Sequence, residues 1–307
     1  MQAEDERLAD RRPPAARRAL LICHAKSDPA RSAMDAAAAV LTGGGIRLTR
    51  QAWPGHEALP GAIRRHAEAV DLVVLGGGDG TLNAGAAALL ATQLPLGILP
   101  LGTANDLART LGIPTEPEAA ARVILGGVRR RIDLGEVNGR PFFNVASIGL
   151  SVAITHELTS ERKRRWGRLA YALAALRALP QARPFRAELR CGDRVDVIRT
   201  LQIAVGNGRH YGAGMVVADH AEPDDGLLHL YSLEFERAWW LAPLLPALRA
   251  GTQRRWRQVR TADCAAVEIR TGRARRVDAD GELLTETPAR FRVLPGALEV
   301  FVPAEAA

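Results

Sequence analysis

The chain has 307 residues, 47% of them hydrophobic, which suits about two domains with sizeable cores and excludes a disordered protein except at the ends. With 41 Lys and Arg against 34 Asp and Glu, its net charge of +7 and pI near 10.1 favour anionic partners, whether nucleotide, nucleic acid or acidic lipid headgroups. Cys23, Cys191 and Cys264 are far apart in sequence with no Cys-x-x-Cys spacing, so neither a zinc site nor a disulfide framework is indicated and a reducing compartment is expected.

Residues 1–18 mix acids and arginines around Pro13-Pro14, lack an apolar core, and read as a mobile tail instead of a signal peptide. Residues 19–23 suit a buried first strand, followed by the turn-like His24-Ala25-Lys26-Ser27-Asp28-Pro29. A helix is expected over 30–41, then Gly43-Gly44-Gly45, a second strand over 46–49 and a helix over 61–69. The chain then reaches its organising stretch, Val70-Asp71-Leu72-Val73-Val74-Leu75-Gly76-Gly77-Gly78-Asp79-Gly80-Thr81-Leu82-Asn83, which reads as a strand, a glycine loop and the start of a helix over 82–91.

Glycines at that junction expose backbone N–H groups, and a new helix adds positive dipole, so an anion, phosphate first, is the natural ligand. A Rossmann loop would place its third glycine at Thr81, no Gly-Lys-Ser/Thr follows, and protein-kinase signatures are missing. Asp79 carries negative charge into an anion loop, which points to a nearby Mg²⁺ or a hydroxyl to be oriented. A second such unit follows in Leu96-Gly97-Ile98-Leu99-Pro100-Leu101-Gly102-Thr103-Ala104-Asn105-Asp106. Alternating strands and helices predict a parallel sheet with helices on both faces, and ligands of such sheets bind beyond the carboxyl ends of the strands. Two loops, 78–83 and 102–106, are thereby placed to face one nucleotide.

After Asp133 the texture changes to short apolar segments at 143–146, 185–190, 201–205, 227–233, 267–269, 291–294 and 298–302, broken by one helical stretch at 166–179. This predicts a β-rich, sandwich-like or barrel-like second domain, with a hinge near 135–139. The expected division is a tail at 1–18, an α/β domain at 19–135 and a β-rich domain at 136–307, the extreme C-terminus packing back on the first domain. Asn207-Gly208-Arg209, with Gly212 and Gly214, marks a glycine-rich bend. The acidic stretches Glu222-Pro223-Asp224-Asp225-Gly226 and Asp278-Ala279-Asp280-Gly281-Glu282 each precede a strand and read either as turns or as sites for a hard cation. The longest apolar stretch, 239–248, is broken by Pro243 and Pro246 and is too short to span a membrane.

Five motifs, Gly77-Gly78-Asp79-Gly80-Thr81-Leu82-Asn83, Pro100-Leu101-Gly102-Thr103-Ala104-Asn105-Asp106, Val205-Gly206-Asn207-Gly208, Asp224-Asp225-Gly226-Leu227-Leu228 and Asp280-Gly281-Glu282, occur in the order and approximate spacing of the diacylglycerol-kinase catalytic family. From residue 19 to residue 303 the chain resembles its bacterial lipid kinases. The resemblance implies an α/β nucleotide domain followed by a β-rich domain with the active site in the cleft, and ATP-dependent phosphorylation of a lipid hydroxyl, that of diacylglycerol or a related alcohol. Carried over, Gly77, Gly78, Asp79, Gly80, Thr81, Leu82, Asn83, Ala84 and Thr103 would hold ATP. Asp225 would bind Mg²⁺ with Glu222 and Leu227 at positions where the family uses backbone carbonyls, and Glu282 would accept the hydroxyl proton. Asp79 is either an organiser of the phosphate and Mg²⁺ network or an alternative base.

Two departures stand out. The family's Asn-Pro-x-Ser-Gly loop is replaced by residues 24–28, and Gln51 stands where a threonine usually contacts nucleotide. The resemblance also implies a protein peripheral to the inner face of the membrane, for which Trp166, Trp239-Trp240 and Trp256 amid arginines offer a surface. A homodimer is left open. NAD kinases share the first motif and are the enzymatic alternative; a non-catalytic lipid or nucleotide sensor is the other, and no nucleic-acid-binding pattern is present.

Overall fold

The computed structural model describes residues 17–25, 27–157, 182–211, 215–216, 220–241 and 243–306. The expected tail up to residue 16, the helix over 166–179, the arginines around Trp166, and Gly212 and Gly214 lie outside the described residues.

The first half alternates strands and helices: β1 (Arg18–Cys23), α1 (Asp28–Gly43), β2 (Arg47–Gln51), α2 (Leu59–His66), β3 (Leu72–Gly77), α3 (Asp79–Thr92), β4 (Leu96–Pro100), α4 (Asp106–Thr110) and α5 (Pro117–Gly126). The strands pair in parallel in the order β2-β1-β3-β4. Every residue of β3 and β4 is buried, as continuous apolar runs covered on both faces must be. α1 is started by Ser27, whose hydroxyl accepts the Ala30 N–H, and by Pro29 in its first turn. Because all four strands run the same way, His24, Gln51, Gly78 and Leu101 emerge along one edge. α3 begins at Asp79, three residues before composition suggests. Gly78 is extended (φ −100°, ψ −174°), and its carbonyl takes the first helical bonds from the Thr81 and Leu82 N–H groups.

The second half comprises β5 (Arg129–Val137), β6 (Arg140–Phe142), β7 (Val145–Gly149), α6 (Leu150–Glu157), β8 (Phe185–Cys191), β9 (Arg194–Thr200), β10 (Gln202–Gly206), β11 (His210–Tyr211), β12 (Met215–Val216), β13 (Leu228–Leu233), α7 (Leu245–Ala250), β14 (Val259–Cys264), β15 (Ala266–Thr271), β16 (Arg276–Ala279), β17 (Glu282–Glu286) and β18 (Ala289–Phe301). A six-stranded antiparallel sheet, β14-β13-β10-β7-β16-β17, faces strands β5, β8, β15 and β18 of the other sheet. Phe142, Phe185, Ile203, Leu230, Ile269 and Phe291 fill the space between them, which makes the second domain a β-sandwich.

β18 joins the domains. Its first half pairs with β15, its whole length with β5, and Val300 with Leu96 of β4; a register shift between Leu294 and Leu298 lets one strand serve both cores. Phe301 and Val302 bury themselves in the first domain.

In the stretch expected to hinge, 135–139, Gly135 and Val137 sit inside β5, paired with β6 and β18. Gly135 is a glycine for packing, since a Cβ there would lie 2.2 Å from Cζ of Phe142. Cys191 and Cys264, remote in sequence, meet across the sandwich as hydrogen-bonded thiols, and burial followed by that partner pushes the Cys264 thiol up to about 12. Trp256 is half-buried against the outer face of the second sheet with Tyr231, Leu244 and Leu248, whereas Trp239 is 61% exposed.

Candidate active site

One wall of the site is made of backbone. The Leu101 N–H donates to the Gly77 carbonyl at 2.9 Å, which draws the turns after β3 and β4 together. They touch at their glycines: a Cβ on Gly102 would lie 2.5 Å from the Gly78 Cα and 2.6 Å from Asn105 Oδ1. Asn105, left-handed at φ 51°, braces the second turn, accepting the Gly102 N–H at 2.9 Å and donating to the Gly102 carbonyl at 2.9 Å. Asp79 links the two elements, its Oδ1 accepting the Leu107 N–H of α4 at 3.3 Å. Burial pushes the Asp79 carboxyl above its ordinary range, while the N–H groups of residues 105–107 and its own pull the other way.

This geometry sorts the residues expected to hold nucleotide. Gly78, Asp79 and Gly80 form the rim, with half-buried Ala84 one turn on and exposed Thr103 on the facing turn. Thr81, Leu82 and Asn83 stand behind that rim: their side chains are buried, and the N–H groups of the first two bond to the Gly78 carbonyl. Gly77 likewise packs on the Thr81 side chain, with no room for a Cβ. Asn83 Oδ1 is buried without a hydrogen-bond partner among the described residues, so polar capacity remains one turn behind Asp79. Gln51 ends β2 on the correct edge, but its amide donates to the adjacent Ala52 carbonyl at 3.2 Å.

The opposite wall is made of side chains and comes from the second domain. Asp280 and Gly281 turn the β16–β17 hairpin in left-handed conformations, φ 49° and 84°. The Asp280 carboxylate accepts the N–H groups of Phe143 (2.7 Å), Asn144 (3.0 Å) and Val145 (3.0 Å) at the start of β7. Burial pushes this carboxyl up to about 7, the charge of Asp79 adds to the push, and the three N–H donors oppose it. The turn so fixed presents Glu282 to the glycine loop. A Cβ at Gly80 would lie 4.0 Å from Glu282 Oε1 and 3.9 Å from His56 Cε1.

Sequence reasoning missed the groups around that carboxylate. His56 Nδ1 is 3.4 Å from Glu282 Oε1, an ion pair when the imidazole is protonated. His24 stacks on Trp53 with centroids 4.2 Å apart and planes 3° from parallel, and His56 stands edge-on to both. The three residues come from the loops after β1 and β2, where no periodicity announces them; only their place at the carboxyl edge of a parallel sheet could have.

Asp225 lies on a separate acidic turn. Its Oδ1 accepts the Leu227 N–H at 2.9 Å, and its Oδ2 the Glu222 N–H at 3.1 Å and a contact from His229 Nε2 at 2.9 Å. Asp133 of β5 pins the turn from below, accepting the Gly226 N–H at 2.8 Å and the Gly296 N–H at 2.7 Å. Arg130 holds Asp224 through two bonds and lies 3.6 Å from the Glu222 carboxylate. Three contacts on Asp225 leave it room for one further bond, so a hard cation fits there through one carboxylate oxygen and neighbouring carbonyls.

Comparison with known proteins agrees with this architecture. Residues 18–137 match the diacylglycerol kinase catalytic domain, and residues 144–302 match the YegS C-terminal NAD kinase beta sandwich-like domain. A probable lipid kinase YegS-like from Pseudomonas aeruginosa is 35% identical over 287 residues, 93% of this chain and 94% of that one. A diacylglycerol kinase of Mycobacterium tuberculosis is 32% identical over 246 residues, covering 77% and 78% of the two chains. A crystal structure of a diacylglycerol kinase from Bacillus anthracis superposes with a TM-score of 0.74 at 20% identity, over 95% of this chain and 98% of that one, and shows the shared fold. Two matched domains, spanning both walls of one cleft, and relatives aligned over nearly the whole length lead to one conclusion: the chain belongs to the diacylglycerol-kinase family of bacterial lipid kinases.

Proposed function

We propose that the enzyme transfers the γ-phosphoryl group of ATP to the hydroxyl of a lipid alcohol of the diacylglycerol class, with Glu282 as the proton acceptor. The observation that supports this most is the meeting of Glu282 with Gly80: a carboxylate from one domain stands at the N-terminus of α3 in the other. Phosphoryl transfer asks the protein for alignment and charge stabilisation more than for covalent chemistry. The rim N–H groups and the positive end of the fourteen-residue helix α3 attract and orient phosphate oxygens. Asp79, tied to Leu107, keeps the two turns in register and is cast as organiser, not base.

Glu282 is half-exposed, so an incoming hydroxyl can reach it, and it accepts the proton as the oxygen attacks. Asp225, with the carbonyls of Glu222 and Leu227, would hold Mg²⁺ on the acidic turn. When bound, such an ion neutralises negative charge.

The lipid implies work at a bilayer surface. No helix among the described residues is long and apolar enough to cross a membrane. Exposed Trp239, with exposed Arg254, Arg255 and Arg257 nearby in sequence, supplies apolar insertion and headgroup attraction. Trp256 is withdrawn from that surface because it packs on the core.

Incubation with radiolabelled ATP and an extracted total-lipid mixture, resolved by chromatography, should label one lipid class in the presence of Mg²⁺. With NAD added to the same incubation, label appearing only in that soluble dinucleotide would instead establish the NAD kinase reading. Vesicle sedimentation should show binding that rises with anionic lipid and falls in Trp239→Ala; charge-independent binding would remove the surface from the account.

A further inference from the structure

Outside the cleft, four side chains form an unbroken chain: His220 Nε2 to Asp263 Oδ2 at 3.2 Å, Asp263 Oδ1 to His229 Nδ1 at 2.9 Å, and His229 Nε2 to Asp225 Oδ2 at 2.9 Å. The rings of His220 and His229 meet edge to face, centroids 5.2 Å apart and planes at 87°. One nitrogen of each ring and one Asp263 oxygen lie within 4.8 Å of one another. His229 is buried on β13, while His220 and Asp263 open to solvent at side-chain exposures of 45% and 41%.

We infer that His220, His229 and Asp263 form a binding site for a borderline divalent transition metal of the zinc class, adjacent to the oxygen-donor turn proposed for Mg²⁺ and joined to it through Asp225. Two imidazoles and one carboxylate are a donor set that Zn²⁺, Co²⁺ or Ni²⁺ prefers and Mg²⁺ does not. Asp225 completes the design from behind. By accepting the His229 Nε2–H it fixes the tautomer that leaves Nδ1 as the ligand, the carboxylate–histidine–metal arrangement that orients and strengthens imidazole ligands. His229 Nδ1 and Asp263 Oδ1, 2.9 Å apart, would both turn to the ion, and any proton between them leaves to solvent as it enters. His220 lies before the acidic turn, His229 on β13 and Asp263 on the adjacent β14, so an ion here would staple the turn to the sandwich.

The test uses the untagged full-length chain, stripped with chelator and titrated with Co²⁺ while its visible ligand-field bands are recorded. One equivalent should bind with the intense bands of a four-coordinate nitrogen and oxygen site, Zn²⁺ should displace it, and excess Mg²⁺ should not. Asp225→Asn should weaken Co²⁺ binding by roughly 10–100-fold. His220→Ala, at an exposed position that should not disturb folding, should weaken it by more. Bands of octahedral, water-like cobalt only, displacement by Mg²⁺, or unchanged affinity in His220→Ala would each overturn the site. The readout is independent of kinase activity, so its failure leaves the lipid-kinase assignment untouched.

Discussion

The two walls of the cleft are built on different principles. The first-domain wall is backbone: its geometry comes from the contact of Gly78 with Gly102 and from helix starts, and its side chains mostly turn inward. The second-domain wall is side chain: Glu282 points into the cleft because Asp280, two residues earlier, is bound to three N–H groups some 135 residues away in sequence. A backbone wall tolerates changes in what surrounds it but no added carbon where its two turns touch. A side-chain wall tolerates neither loss of its carboxylate nor loss of the group that aims it.

The largest effect is expected at Gly102. Gly102→Ala would force its Cβ against Gly78 and Asn105, separate the two turns, and lower kcat/KM for ATP by about 10²-fold, as misplacement near 1 Å does elsewhere. Gly80→Ala is the control, because its Cβ meets nothing closer than 3.9 Å and should leave thermal stability unchanged.

Next in size, Asp280→Ala orphans the Phe143, Asn144 and Val145 N–H groups and puts a β-carbon residue at φ 49° without a compensating bond. Urea denaturation should show a loss of about 1–3 kcal/mol, with kcat falling more than nucleotide affinity.

A pH effect follows from the same residue. The Asp280 carboxyl, raised to about 7 in the folded chain, keeps its proton where the unfolded chain has lost it, so its contribution to stability falls as pH rises from about 4 to about 7 and levels off above. Asp280→Asn removes that titration, and the slope of stability against pH over this window should become less negative than in the wild type. An unchanged slope would mean that the three N–H donors hold the carboxyl ionised throughout.

The smallest effect belongs to His56. Its contact with Glu282 is long and half-exposed, so His56→Asn should alter stability by less than about 1 kcal/mol and kcat by less than about tenfold.

Much of the first domain could be read from the chain because local signals and tertiary roles coincide there. Apolar runs ending in glycine are buried parallel strands, and the loops behind Gly78 and Gly102 occupy the predicted edge. At Gly135 the letter alone does not tell a glycine required by the Phe142 ring from one required by a hinge. The Cys191–Cys264 pair and the His24, Trp53 and His56 cluster were invisible for another reason: they are assembled by strand order, which spacing along the chain does not encode. Glu282 itself was singled out through family resemblance; the Asp280 bonds that aim it needed coordinates.

The most direct test of the account is single-turnover phosphoryl transfer by Glu282→Gln alongside its ATP affinity. ATP should bind as in the wild type while transfer slows by about 10²–10⁴-fold, the range for loss of a general base. Transfer within tenfold of the wild type would contradict the role given to this carboxylate.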